Sequence, residues 1–216
     1  MEQRPKIVAI YATDTMADWE YAYITTQLAI AEKARPGQYH VAFAGETLDT
    51  VYSQGGLSIT PTTTVEKICD DKALATLVIP GAATYGKGHS TLYQTVAALL
   101  EQEKPVSAIC GATYFLARCG FLNSRAHTSN SISFLQQAPG YTGERFYLDT
   151  KVVTDTGITT ASGLHPIAFT AEVLRQANVF PQPVINAWQT LFETASEESN
   201  LAYTRALKQW VATNSF

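Results

Sequence analysis

The sequence has few charged residues, no basic cluster and no long apolar run, and each shortage excludes a class of protein. Fifteen lysines and arginines stand against 19 acidic residues, and the formal net charge is −4, so a nucleic-acid partner is not expected. No apolar run approaches the roughly 20 residues of a membrane span, so a membrane partner is not expected either. No Gly/Ser/Pro-rich linker divides the chain, which indicates one domain over residues 1–216.

Cysteine is also scarce, and the three cysteines show no ligand pattern. Cys69, Cys110 and Cys119 lack paired spacing and an accompanying histidine set, so we expect no disulfide framework, no metal and no cofactor. The first residues contain no apolar segment typical of a signal peptide, and free thiols suit a reducing compartment. The expected location is therefore cytoplasmic.

Apolar segments rich in β-branched residues alternate with segments of helical periodicity. Residues 6–12, 75–80 and 105–109 read as strands covered on both faces, whereas residues 17–34 and 166–177 read as helices. This alternation predicts an α/β fold with a doubly wound, mainly parallel sheet flanked by helices. Ligands bind such sheets at the carboxyl ends of the strands.

Shorter elements complete the predicted order. Residues 50–65 indicate two short strands or a hairpin, Ala126–Ser129 is strand-like, and residues 151–161 form a second hairpin through Thr156 and Gly157. Helices are expected within residues 184–213. Their apolar residues, which either pack on the chain's own sheet or form a contact with another copy, are Trp188, Leu191, Phe192, Tyr203, Leu207 and Trp210.

The segment Ala108–Ala112 places a cysteine between a strand and a helix, with a small residue two positions away on each side. This pattern is typical of a nucleophile elbow, where the nucleophile is held in strained backbone geometry and aimed at the substrate. The start of a helix favours thiolate over thiol. The alternative is that Cys110 is a buried small apolar residue, which is the commoner role of a single cysteine.

Several motifs then recur in an order that resembles the ThiJ/PfpI family, with its Parkinson disease protein 7-like members, in the class I glutamine amidotransferase-like superfamily. The resemblance runs from Lys6 to about Arg175 and implies a flavodoxin-like sandwich. The motifs are Val78–Ala82, Ile109–Thr113, Gly120–Leu122, His127–Asn130 and Thr160–Gly163.

The resemblance assigns Cys110 as the nucleophile and Glu20 as a carboxylic acid that tunes the protonation of the thiol, with Asp18 as the fallback. A protonated carboxyl would lower the pKa of the cysteine, whereas a charged one would raise it. Without the resemblance, Glu20 reads as an acid in the first turn of a helix that points to water. The oxyanion donors would be the backbone amides of Gly111 and of Gly81 or Ala82.

The general base is less clear, because this chain departs from the family pattern. Protease-like members carry a histidine directly after the cysteine, where Gly111 stands here. Asn130 aligns with a histidine of other members, and His127 lies three residues earlier. Since residues an odd number apart on a strand point opposite ways, we expect Asn130 to face the site and His127 to have a structural or supporting role. His165, in a Gly-Leu-His-Pro segment, is a third candidate.

Two functions follow from the resemblance. The first is a cysteine-dependent enzyme acting on a small-molecule carbonyl or amide, as a hydrolase, an amidase or a glyoxalase/deglycase-type enzyme with Cys110 as nucleophile. The second is a non-enzymatic oxidative-stress or redox-sensing protein in which Cys110 is oxidised. The family commonly forms homodimers, so a homodimer is expected here.

Overall fold

A computed structural model describes residues 4–213. Within them a seven-stranded sheet has the order β5-β2-β1-β6-β7-β9-β8, in which only β8 runs antiparallel to its neighbour β9. The strands of this sheet are β1 (Lys6–Tyr11), β2 (Tyr39–Gly45), β5 (Thr63–Thr64), β6 (Leu74–Ile79), β7 (Val106–Ile109), β8 (Val152–Asp155) and β9 (Ile158–Ala161). The strands β3 (Val51–Tyr52) and β4 (Ser58–Ile59) form a separate antiparallel hairpin. The predicted α/β fold with a mainly parallel sheet is confirmed.

Helices cover both faces of the sheet. They are α1 (Ala22–Ala34), α2 (Val65–Cys69), α3 (Ser90–Glu101), α4 (Gly111–Arg118), α5 (Ile132–Leu135), α6 (Pro166–Gln176), α7 (Gln182–Thr194) and α8 (Glu197–Ala212), with 3₁₀ helices at Asp18–Glu20 and Glu144–Phe146. None of the helices in residues 4–213 is both long enough and apolar enough to cross a lipid bilayer.

The alternation of side chains along β1 shows how the sheet separates two cores. Ala9 and Tyr11 join the apolar cluster on the side of α3 and α4, whereas Val8 and Ile10 join the cluster on the side of α1 and α6. Successive strand residues point to opposite faces, so an apolar run without polar interruptions is required by burial on both sides.

The C-terminal helices pack largely on the chain itself. Trp188 and Trp210 are buried in the same core as α1 and α6, and the Arg35 guanidinium lies 4.1 Å from the ring centre of Trp210. Phe192 remains 45% exposed. Own-core packing therefore accounts for the two tryptophans, and the homodimer stays a prediction.

Two local expectations are wrong. The strand-like segment Ala126–Ser129 is reduced to a single bridge between His127 and Tyr147, because the next amide, that of Thr128, donates to the Thr160 hydroxyl and not to a neighbouring strand. The segment expected as one helix from residue 17 begins with the separate 3₁₀ helix Asp18–Glu20, and α1 starts only at Ala22. Glu20 is therefore not a first-turn residue of α1.

Candidate active site

Cys110 lies between β7 and α4, at the carboxyl edge of the sheet. Its backbone has φ 57° and ψ −122°, a conformation that residues with a side chain rarely adopt. The Cys110 N–H donates to Ala161 O at 3.0 Å, and the amide and hydroxyl of Thr113 donate to Cys110 O at 3.0 and 2.6 Å. These bonds hold the strained conformation, so the elbow predicted from the sequence is confirmed.

Glu20 ends the 3₁₀ helix with its side chain turned into the protein, where it is 0% exposed. Its Oε2 accepts a hydrogen bond from the Gly81 N–H at 2.6 Å. Oε1 has no hydrogen-bond partner of ordinary geometry in residues 4–213, and the neighbouring Cys110 thiol acts on the carboxyl by lowering its pKa. Glu20 is thus a buried acid at the thiol and not a surface acid.

Two glycines enclose the Cys110 and Glu20 side chains. A Cβ on Gly81 would lie 2.8 Å from the Cβ of Cys110 and 2.9 Å from Glu20 Oε2. A Cβ on Gly163 would lie 2.7 Å from Cys110 Sγ and 3.0 Å from Glu20 Oε1. Since real Cβ atoms do not approach other atoms so closely, any larger residue at these positions would displace the pair.

The two acidic groups influence each other's protonation. Burial raises the pKa of Glu20 to about 7, against opposing hydrogen bonds from Gly81 and Cys110. Burial and the negative charge of Glu20 also raise the pKa of the Cys110 thiol, whereas hydrogen bonds from Asn130 and Gly111 lower it. The start of α4 therefore does not by itself make Cys110 a thiolate, and the expectation based on helix position alone is wrong. The two groups titrate as a pair.

Asn130 contacts the thiol through its amide. Its Oδ1 accepts from the Gly163 N–H at 2.9 Å and from the Ser162 hydroxyl at 3.3 Å. Because these donors fix which end of the amide carries oxygen, Nδ2 is left to donate to Cys110 Sγ at 3.3 Å. Asn130 faces the site as expected, but an amide cannot act as a general base.

The oxyanion donors differ in part from expectation. The Gly81 N–H is used by Glu20, so Gly81 is wrong as an oxyanion donor and serves instead to hold the acid. The Ala82 N–H has no acceptor in residues 4–213, and the Gly111 N–H has only the Cys110 sulfur as its neighbour. A Cβ on Gly111 would lie 3.1 Å from the Ala82 nitrogen, so the two amides are adjacent and are the available donors for a negative oxygen next to Cys110.

The histidines of residues 4–213 make no hydrogen bond to the thiol. His127 is fully buried, with Nδ1 at 2.7 Å from Arg125 O and Nε2 at 2.7 Å from the Tyr141 hydroxyl. Because both ring nitrogens are occupied, the assignment of His127 as catalytic is wrong, and its expected structural role fits.

His165 also lacks a contact with the thiol. It precedes α6, where its backbone closes a turn with Ser162, and its imidazole acts electrostatically on Glu193 of α7. No side-chain hydrogen bond of His165 occurs in the described part of the chain. His165 makes no hydrogen bond to Cys110 in residues 4–213, and its assignment as a base stays a prediction.

Asp18, the fallback acid, has a structural role. Its carboxylate accepts from the Gly55 N–H at 2.7 Å and from the Tyr21 hydroxyl at 3.1 Å. Burial acts to raise its pKa, but hydrogen bonds from Ser53, Gly55 and Tyr21 hold the pKa below its usual range. Asp18 fastens the β3–β4 hairpin to the 3₁₀ helix and does not face Cys110.

Gly163 and Ser162 are site residues that the sequence alone did not assign, although both lie in a recognised motif. The signal was Ser-Gly directly after β9, the strand that pairs with β7 and so ends beside Cys110. Among residues 4–213, no group of three or more His, Cys, Asp or Glu side chains is arranged to hold a metal ion.

The chain matches a protein-family model and a relative in Bacillus subtilis. The model of the DJ-1/PfpI family matches residues 6–176. The chain is 34% identical over 195 residues to a Bacillus subtilis protein named uncharacterized protease YoaZ, a match that covers 88% of this chain and 92% of that protein.

Solved structures agree with this match. A thiJ/pfpI family protein from Bacillus anthracis has a TM-score of 0.86 at 29% identity, covering 95% of this chain and 99% of that one. The DJ-1 superfamily protein Atu0886 from Agrobacterium tumefaciens has a TM-score of 0.76 at 30% identity, covering 88% of this chain and 100% of that one. The resemblance inferred from the motifs is confirmed.

Proposed function

Because this chain belongs to the DJ-1/PfpI family, we propose that it is a cysteine-dependent enzyme that converts a small, reactive carbonyl compound, with Cys110 as the nucleophile. The observation that carries the proposal is the pairing of a strained thiol with a buried carboxyl oxygen that has no N–H or O–H donor in residues 4–213. A buried polar atom left in this way costs stability, so its presence indicates a role other than folding.

The chemistry begins with a proton transfer within the pair. At pH values above about 7 Glu20 is ionised while the thiol, whose pKa is raised, keeps its proton. Glu20 takes the S–H proton as Sγ adds to the carbonyl carbon, and the carbonyl π electrons move to oxygen. The amides of Gly111 and Ala82 stabilise the resulting oxyanion. The oxyanion then accepts a proton to give a hemithioacetal.

A 2-oxoaldehyde fits this arrangement because no external oxidant or leaving group is needed. Glu20, having returned the thiol proton to the oxyanion, removes the C–H proton of the hemithioacetal carbon, so that a C=C bond forms and the neighbouring carbonyl oxygen becomes an enediolate. The hemithioacetal hydroxyl passes its proton to that oxygen. Glu20 then gives its proton to the neighbouring carbon as the C–O⁻ group becomes a carbonyl, which gives a 2-hydroxy thioester. Water then hydrolyses the thioester to a 2-hydroxy acid and restores the Cys110 thiol. The sum is 2-oxoaldehyde plus water to 2-hydroxy acid.

Amide hydrolysis, which the name of the Bacillus subtilis relative suggests, is a weaker candidate. It requires a proton donor that reaches the departing amine nitrogen. None of the four histidines hydrogen-bonds to Cys110 within residues 4–213. The site therefore favours addition to a carbonyl over cleavage of an amide.

The test follows methylglyoxal consumption and lactate formation by the purified protein. We expect turnover beyond one equivalent, and a loss of at least about 10³-fold in Cys110→Ala, as for removal of other covalent nucleophiles. Cys119→Ala is the matched control, since Cys119 is also half-buried and lies at the other end of α4, and it should keep full activity.

Two results would overturn the proposal. Turnover of a chromogenic amide but not of methylglyoxal would favour a hydrolase. Consumption of a single equivalent of peroxide at Cys110, with no turnover of either compound, would favour the redox-sensing alternative.

A further inference from the structure

Two apolar side chains stand in solvent on either side of the glycine that touches the thiol. Leu164 is 85% exposed, the highest value among the large apolar side chains of the described residues, and Trp19 is 44% exposed. Leu164 follows Gly163 directly, and the Trp19 indole N–H donates to Gly163 O at 3.4 Å. Both side chains therefore lie beside the residue that packs against the Cys110 thiol.

The backbone on each side is fixed. Trp19 lies in the 3₁₀ helix between Asp18, which fastens the β3–β4 hairpin, and Glu20, which is buried at the thiol. Leu164 lies in a turn that is closed by the His165 N–H to Ser162 O at 2.9 Å and by the Leu164 N–H to the Ser162 hydroxyl at 3.3 Å. An apolar group bound between them would meet a preformed surface.

No cation acts on the two side chains at the centre of the site. None of the groups that shift the pKa of Glu20 or of Cys110 is a lysine, arginine or histidine of residues 4–213. A carboxylate or phosphate on the substrate would meet the negative charge of Glu20 without a compensating cation. The site therefore suits a neutral compound.

We propose that Trp19 and Leu164 form an apolar rim that selects neutral 2-oxoaldehydes carrying an aryl or bulky alkyl group over those carrying a methyl group. The inference rests on the proposed function for the reaction and on the contacts of Gly163 for the location. The aldehyde carbon meets Sγ while the apolar substituent lies against the indole and the leucine, where its surface leaves water.

The first experiment needs no turnover, so it separates this inference from the proposed function. Rates of Cys110 labelling by N-benzylmaleimide and N-methylmaleimide are measured by mass spectrometry, and their ratio is divided by the ratio for free glutathione. We expect a normalised preference of about tenfold for the benzyl reagent, typical of one well-placed apolar contact. Trp19→Ala and Leu164→Ala should each lower it by about threefold.

Tyr93→Ala is the matched control, because Tyr93 is 45% exposed on α3 and has no contact with Gly163. It should leave the preference unchanged. Leu164→Ala should fold normally, because an exposed side chain contributes little to the free energy of unfolding. A lost preference in this variant would therefore not be due to misfolding. A normalised ratio near one, or an equal loss in Tyr93→Ala, would overturn the apolar rim.

The second experiment compares kcat/KM for phenylglyoxal and methylglyoxal. The rim predicts that Trp19→Ala and Leu164→Ala lower kcat/KM for phenylglyoxal by about fivefold and change that for methylglyoxal by less than twofold. An equal loss for both compounds would overturn the selective role.

If neither compound turns over while the maleimide preference and its loss in both variants persist, the rim stands and the proposed reaction fails. A Trp19→Ala variant that changes the oligomeric state and shows no maleimide preference would assign the surface to a second copy of the chain instead.

Discussion

Two buried polar clusters of this protein differ in how completely their atoms are paired. In the His127 cluster, Nδ1–H donates to Arg125 O and Nε2 accepts from the Tyr141 hydroxyl, each at 2.7 Å. In the cluster around Cys110, Glu20 Oε1 has no N–H or O–H donor and the Ala82 amide has no acceptor within residues 4–213. The first cluster holds the chain together, whereas the second keeps hydrogen-bonding capacity for another molecule.

The difference shows why residue type alone misassigns the base. His127 lies three residues before Asn130, the position that aligns with a family histidine. Because imidazole titrates near neutral pH, a histidine there is readily assigned a catalytic role. Burial lowers the pKa of His127 and so favours the neutral ring, whereas the hydrogen bond to Arg125 O acts in the opposite direction. A ring with both nitrogens occupied has no capacity left for substrate.

The largest expected effect concerns the paired cluster. His127→Phe should lower the free energy of unfolding by about 2–4 kcal/mol, because Arg125 O and the Tyr141 hydroxyl are left buried without partners. Activity per folded molecule should stay within about twofold of the wild type. Urea unfolding and active-site titration measure the two quantities, and His40→Phe on the exposed face of β2 is the control. Lost activity with unchanged stability would return His127 to the catalytic site.

The second prediction concerns the cluster around Cys110, whose contribution to the free energy of unfolding should depend on pH. The pKa of Glu20 rises from 4.5 to about 7 on folding, so the folded chain holds a proton that the unfolded chain has released, and stability falls as pH rises through this window. Glu20→Gln removes the effect. The difference in unfolding free energy between Glu20→Gln and wild type should therefore grow by up to about 3 kcal/mol between pH 4.5 and 8.

Asp18 supplies a control of opposite sign. Its pKa is lowered in the folded state, so its carboxylate contributes stability that builds up as pH rises toward 3.8 and is fully present above that value. Asp18→Asn should become less stable relative to wild type over that rise. If the free energy of unfolding changed with pH in the same direction in Glu20→Gln and Asp18→Asn, the different roles assigned to Glu20 and Asp18 would be contradicted.

The sequence predicts the fold well because its signals are local and repeated. Apolar runs such as that of β1 and the small residues around Cys110 are properties of a few neighbouring residues, and both were read correctly. The acid needed the family resemblance as well, because helical periodicity placed Glu20 toward water. The separate 3₁₀ helix that turns it inward has no distinct pattern in the sequence.

The remaining differences depend on long-range contacts. Whether Gly81 donates to an oxyanion or to Glu20 depends on a hydrogen bond across 61 residues. Gly163 matters because β9 pairs with β7 and ends beside Cys110, a fact of topology that composition does not carry. Partners of this kind are set by the packed fold, so sequence motifs mark the positions without assigning the roles.

A smaller effect is expected from the amide at the thiol. Asn130→Ala removes the Nδ2–H donor, so the pKa of Cys110 should rise by about half a unit, in keeping with the loss of one hydrogen bond. The rate of iodoacetamide labelling against pH measures it. Asn123→Ala, which removes an amide that joins Gly140 and Thr142 elsewhere, should leave the profile unchanged. An unchanged profile in Asn130→Ala would mean that the contact does not tune the thiol.

The central claim is that Glu20 and Cys110 form one titrating pair, and the pH profile of Cys110 alkylation in Glu20→Gln tests it most directly. The charge of Glu20 and its hydrogen bond raise the pKa of the thiol, so removing the charge should lower the alkylation midpoint by about one unit or more. Asp18→Asn should leave the midpoint in place. An unchanged or raised midpoint in Glu20→Gln, or an equal shift in Asp18→Asn, would contradict the account.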